Sequence, residues 1–180
     1  MLHLKKTHST SSISTNYLNT TKTIKGMAIC LFQCLGMVHS HPKYHAIYDE
    51  RLHKFSRKQQ PVAYPSPNDI LEFITKIEKV FAFPSEVYII AAIYMDRLAT
   101  ISHIYLTVYS WKRILLIAVV ASAKFILDAT IRNSDFVHIF PHVSDIVVLE
   151  KEFLRHIQFG LFVERLHFNK YYFAVNSMAT

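Results

Sequence analysis

Cys30, Cys34, His39 and His41 gather thiols and imidazoles, the usual ligands of zinc, within a short stretch. The arrangement Cys-x3-Cys-x4-His-x-His matches none of the familiar ligand spacings. Both cysteines also fall in an apolar stretch, where cysteine commonly serves as a small buried hydrophobe. Neither a metal nor a cofactor is expected. Eleven histidines could supply general bases, yet no serine sits on a glycine-flanked elbow that would make it a nucleophile. Glu150 and Glu152 are adjacent in helical sequence but point to different sides, so they cannot act as a carboxylate pair. With only three glycines, Gly26, Gly36 and Gly160, the chain lacks the multi-glycine loops that cradle phosphates or dinucleotides. No catalytic residue is assigned, and the chain is not expected to be an enzyme.

A different chemistry is suggested by charges placed where charges are expensive. Three largely apolar stretches carry ionisable residues: 87–98, with Asp96 and Arg97; 111–125, with Lys112, Arg113 and Lys124; and 148–159, with Glu150, Lys151, Glu152, Arg155 and His156. A helix that is apolar all round is enclosed by protein or lipid. An ionised group in that setting needs a partner, either inside the fold or on another molecule. Asp96, Lys124 and Glu150 therefore point to an interaction protein.

The elements that must hold these residues follow from composition and period. With 180 residues, 51% of them hydrophobic, the chain suffices for one domain with a substantial core. Residues 1–22, rich in Ser, Thr and Asn, predict a disordered arm. Residues 23–67 predict a flanking helix, over 23–38, and a proline-punctuated loop. Over 68–178 the apolar residues recur at helical spacing. Asn68-Asp69, Pro84-Ser85-Glu86, Ser110, Ser134-Asp135 and Ser144-Asp145 open successive helices, Gly160 stands as a C′ residue, and 164–178 forms a last helix. No segment sustains the alternation of a strand, so the fold class is all-α.

The longest apolar run, 114–121, is short of the roughly 20 residues of a membrane-spanning helix. Residues 1–8 lack the apolar core and cleavage site of a secretory signal, and position 2 is not the glycine that N-myristoylation requires, so membrane recruitment by that route is not expected. Two cysteines are no disulfide framework, which favours a cytoplasmic or nuclear setting. The formal charge of +7 is scattered rather than clustered, so a solvated basic surface is favoured over a nucleic-acid site.

Taken in order, Tyr94-Met-Asp96-Arg97-Leu98, Ala121-Ser-Ala-Lys124-Phe125 and Leu149-Glu150-x3-Leu154-x4-Phe159 resemble the second, third and fifth helices of a cyclin box. Further strings are similar to cyclin Y and its relatives: Thr23-Ile24-Lys25, Tyr48-Asp49-Glu50-Arg51-Leu52-His53, Ser110-Trp111-Lys112-Arg113-Ile114, Asn133-Ser-Asp135-Phe136 and Lys170-Tyr171-Tyr172-Phe173. The resemblance covers residues 22–178. It implies a five-helix cyclin box with flanking helices, acting as the regulatory subunit of a cyclin-dependent protein kinase, of the PFTAIRE/PCTAIRE type. Lys124 and Glu150 resemble the pair that contacts the kinase's regulatory helix; pairing with each other is the alternative. Asp96 and Arg97 resemble structural residues of the box, with Lys76 as the basic partner of Asp96.

The chain departs from the pattern at Ile126-Leu127-Asp128, where only one of two acidic residues remains, and at Thr75-Lys76, where an arginine is usual. Other readings are a cyclin that binds without activating, a cyclin-fold nucleic-acid or transcription adaptor, and a membrane-peripheral scaffold. Lys5-Lys6 ahead of Ser9, Ser11 and Ser12 suits phosphorylation and capture by a phosphoserine-binding adaptor. Because Cys30 and Cys34 read as packing residues, chelation is expected to leave the helical circular dichroism and melting temperature unaltered. Stoichiometric zinc in protein purified without added metal would overturn that.

Overall fold

Apolar residues at helical spacing, interrupted by capping residues and prolines, divide the chain into helices and short connections. The computed structural model describes residues 10–37, 39–55 and 62–179. Its elements are α1 (Thr10–Leu35), a 3-10 turn at Ala46–Tyr48, α2 (Pro67–Phe81), α3 (Ser85–Ser102), α4 (Trp111–Ile126), α5 (Asn133–Val137), α6 (Ile146–His156) and α7 (Arg165–Ser177). No strand occurs among the described residues, and the fold is all-α.

Helices α3 and α4 lie at the centre. From Trp111 to Ala123 every residue of α4 except Lys112 is buried, as are ten residues of α3. Around them the flanking helices bury one face each: Ile70, Phe73, Ile74 and Ile77 of α2, and Ile146, Leu149 and Phe153 of α6. Phe73 and Phe140 stack at 4.9 Å, with Trp111 and Phe55 edge-on to Phe73, sealing the base of α4 with aromatic rings.

The helix starts correct some expectations. Ser66, not Asn68-Asp69, caps α2. Its Oγ accepts from the Asp69 N–H at 3.2 Å, while the Asp69 carboxylate accepts from the Ser66 N–H at 2.7 Å, with Pro67 in the first turn. Ser110 precedes α4, but its Oγ accepts from the Thr107 N–H and satisfies the loop instead of the helix. The left-handed residues after α6 are Gln158 and Phe159, at φ 53° and 54°, and not Gly160. Tertiary bonds hold that corner. The Phe159 N–H donates to Leu154 O at 2.8 Å, and the Arg97 guanidinium grips the carbonyls of Gly160 and Phe162.

Composition predicts a disordered arm to residue 22, whereas α1 begins at Thr10. The reason is tertiary, since Thr20 and Thr23 are buried. Thr23 Oγ1 donates to Asn176 Oδ1 at 3.0 Å and Tyr172 OH donates to Asn19 Oδ1 at 3.1 Å, fastening α1 to α7. Where they cross, a Cβ added at Gly26 would come within 1.9 Å of the Val175 carbonyl oxygen, so only glycine permits this approach. Ser11 and Ser12 fall within α1, while Ser9 and Lys5-Lys6 lie outside the described residues.

Arg113 joins the loop before the helical core to that core. Its side chain is 0% exposed. Nε donates to Ile47 O at 2.6 Å, Nη1 to His53 O at 3.4 Å and Nη2 to Asp145 Oδ2 at 2.6 Å. Burial pulls its pKa down, and Asp145 opposes that. Asp145 stands at the N-cap of α6 and also bonds His53 Nδ1 at 2.7 Å. Removing one member of such an enclosed pair leaves acceptors without a donor. Arg113→Met is expected to destabilise by about 3 kcal/mol in urea unfolding followed by circular dichroism. An unchanged midpoint would show that the loop holds without the guanidinium.

Candidate partner-docking site

Helix α4 is enclosed until its last turn, and there Lys124 reaches the surface. Its ammonium is placed near the negative end of the helix dipole. Nζ lies 2.8 Å from both Glu150 Oε1 and Oε2, joining the end of α4 to α6. Asn133, the first residue of α5, donates from Nδ2 to Glu150 Oε2 at 2.7 Å. Three elements thus converge on one carboxylate. The Lys124 and Glu150 side chains remain 29% and 16% exposed, so a partner can reach them. The Asn133 Oδ1 is buried without a hydrogen-bond partner, an acceptor left over at the same place.

Exposed apolar side chains stand near this pair in sequence. Phe125 follows Lys124 and is 48% exposed, and Val147 and Val148 of α6 are likewise exposed. Val147, Glu150 and Leu154, at i, i+3 and i+7, share one face of α6. A charged, hydrogen-bonded centre rimmed by apolar groups is suited to recognising a helix and its neighbouring backbone.

The other expected residues are placed differently. Asp96 is exposed on α3 beside Tyr171 of α7, whose phenol is pushed up first by burial and then by the neighbouring carboxylate. An ion pair between Asp96 and Lys76, which is exposed on α2, is not among those formed by the described residues. Arg97 clamps the segment leading into α7, as above, and lies over the Tyr94 ring.

Cys30 and Cys34 are half-buried on α1, and burial pushes both thiols up. His39 instead stacks on Tyr105, with ring centroids 3.6 Å apart. Among the described residues no three His, Cys, Asp or Glu side chains are grouped to hold a metal. Asn133 and Arg113 were not singled out by spacing. Each acts across a distance in sequence that no local pattern reports.

At the far end of α6 His156 packs against His45, with ring centroids 4.3 Å apart, and its Nδ1 is 2.8 Å from Tyr48 OH. Ser102 Oγ donates to the His156 carbonyl at 2.6 Å. Burial, then the neighbouring His45, holds the His156 imidazole below its ordinary value of 6.5, with Glu152 opposing and Arg155 assisting.

The arrangement is an all-helical bundle in which a lysine at the end of a buried helix pairs with a glutamate of its neighbour. Compared with models of known families, the chain matches the one described as Cyclin over residues 5–161. It belongs to the cyclin family. Cyclins are regulatory and non-catalytic, and as a family they bind cyclin-dependent kinases. Among the described residues no helix is long and apolar enough to cross a membrane.

A histidine whose folded pKa is depressed contributes stability above its unfolded pKa, and that contribution is lost as pH falls through the folded value. Stability is therefore expected to decline as pH falls below about 6.5, and His156→Gln should make the decline shallower. Urea midpoints measured across that range check this; parallel profiles for the two proteins would refute it.

Proposed function

We propose that this cyclin is a cyclin Y-like regulatory subunit that activates a cyclin-dependent kinase of the PFTAIRE/PCTAIRE type. The observation that carries the reading is the Lys124–Glu150 pair, exposed at the junction of α4, α5 and α6 beside Phe125 and Val147. In the free protein the two charges satisfy each other. On docking, Lys124 donates to carbonyls of the kinase segment before its regulatory helix, and Glu150 accepts from backbone N–H groups there. The apolar rim covers the regulatory helix itself. Contacts made only with the inward position of that helix shift the kinase population toward its active state. The cyclin supplies no catalytic group.

The cyclin Y-like assignment is supported by the strings upstream of the box. Tyr48 to His53 form the loop that Arg113 and Lys112 hold: Lys112 Nζ bonds Glu50 at 2.8 Å, and Asp49 is held to about 2 by Arg51. Ser9, Ser11 and Ser12 serve in this reading as phosphorylation sites for a phosphoserine-binding adaptor.

Lys124→Ala with Glu150→Ala is expected to abolish co-purification of the kinase from cells while the melting curve stays close to that of the parent. The pair is partly exposed, so its loss alone should affect the fold by no more than about 1 kcal/mol. At the interface, unpairing desolvated contacts should weaken binding by roughly 2–5 kcal/mol. Arg155→Ala, which breaks an exposed pair with Glu152, should leave binding unchanged. A folded double variant that keeps the kinase would make Lys124–Glu150 a purely internal pair.

A further inference from the structure

Helix α7 turns toward solvent a face that mixes large apolar groups with cations. Leu166 and Phe173, seven residues apart on one side of the helix, are 68% and 69% exposed, and Phe162, in the segment leading into it, is 73% exposed. Lys170 lies between Leu166 and Phe173 on that side, and Arg165 begins the helix. The opposite side is the one that packs: Val175 and Asn176 are buried, with Phe168, Tyr171 and Tyr172 half-buried.

The charge on this face is of one sign. Between Arg165 and Ser177 there is no carboxylate, and neither Arg165 nor Lys170 enters an ion pair among the described residues. Acids near the helix are Glu164, just before it, Asp96, beside Tyr171, and Glu86, which lines a cleft together with Arg165 and Phe168. The helix packs on α1 and α3, whereas the Lys124–Glu150 pair is presented by α4 and α6. It also follows the stretch matched to the cyclin family, which ends at residue 161.

The interleaving of charge and apolar surface selects the occupant. A second copy of the chain would bring like charges together across the stripe. A folded protein partner would have to desolvate Lys170 at the centre of its contact, where lysine is depleted for that reason. An anionic bilayer surface removes both difficulties. Phenylalanine and leucine enter the boundary of the acyl chains, and the lysine stem lies along them while its ammonium meets phosphate and carboxylate groups. A net charge of +7 adds a general attraction toward such a surface. We propose that the outer face of α7, together with Phe162, is a reversible docking surface for anionic lipid headgroups, lying parallel to the membrane. A kinase held by α4 and α6 would remain accessible.

The test uses the full chain and flotation with vesicles of phosphatidylcholine alone or containing roughly one-third phosphatidylserine. Binding is expected to the mixed vesicles and to fall steeply with salt. Arg165→Gln with Lys170→Gln should weaken it by about fivefold per charge removed. Leu166→Ser with Phe173→Ser should weaken it roughly tenfold or more. These side chains are solvent-exposed, so melting curves should be unchanged. If the serine pair does shift the melt, the glutamine pair decides the matter, because it leaves the apolar side chains in place. Kinase co-purification is expected to be the same for both variants. Absence of binding, equal binding to both vesicle types, or binding undiminished in the glutamine pair would overturn the proposal. So would a dimer in light scattering that the serine pair dissociates, which would give the face to a second copy.

Discussion

A guanidinium enclosed by protein keeps its charge, because arginine does not release its proton in any ordinary pH range. Arg113 is in that position, and the surrounding structure is arranged to supply what it requires. The carbonyls of Ile47 and His53 must come to it, which folds the 46–53 loop against α4. Asp145 must come to it as well, which fixes where α6 begins. Glu150 stands little more than one turn further along that helix, so the position of its carboxylate follows from the needs of a charge buried elsewhere. The same loop carries Tyr48 to His156 and so grips the other end of α6.

The second constraint is the lack of a polar face on α3 and α4. Helices of that kind cannot lie on the outside, and the remaining elements are there to enclose them. Apart from the enclosed Arg113, the charged groups of the central pair appear where it meets the surface. Lys124 does so in the last turn of α4, and Asp96 and Arg97 do so along α3. Rigid apolar surroundings keep the Lys124 ammonium and the Glu150 carboxylate in register, which spares a partner much of the entropy of ordering them.

Much of this was legible in the sequence, because period and buried charge are local signals. The helices from α2 to α7, the all-α class and the need of Lys124 and Glu150 for charged partners follow from spacing within one or two turns. What could not be read depends on who meets whom. Asp96 lies beside Tyr171, a residue of another helix seventy-five positions away, and nothing in the neighbourhood of Asp96 announces it. Polar composition made residues 10–22 look unstructured, yet Asn19, Thr20 and Thr23 have specific places against α7. Gly160 looked like the obvious stop for α6. Bonds from Arg97 instead support a corner in which Gln158 and Phe159 take the left-handed conformation that glycine ordinarily takes.

The crossing at Gly26 joins the first and last helices in one contact. Its two side-chain hydrogen bonds, 19 with 172 and 23 with 176, share the same offset, so α1 and α7 run in the same direction where they touch. Neither helix can slide along the other without breaking both bonds, and neither can rotate without driving the Val175 carbonyl into the backbone at Gly26. Contacts that span 153 positions are slow to form, because the intervening chain must first be ordered. The pair would then behave as a single cooperative unit, the last to close and the first to open. Its backbone amides would exchange with solvent at a common rate, and a fluctuation that frees α1 would release α7 with it.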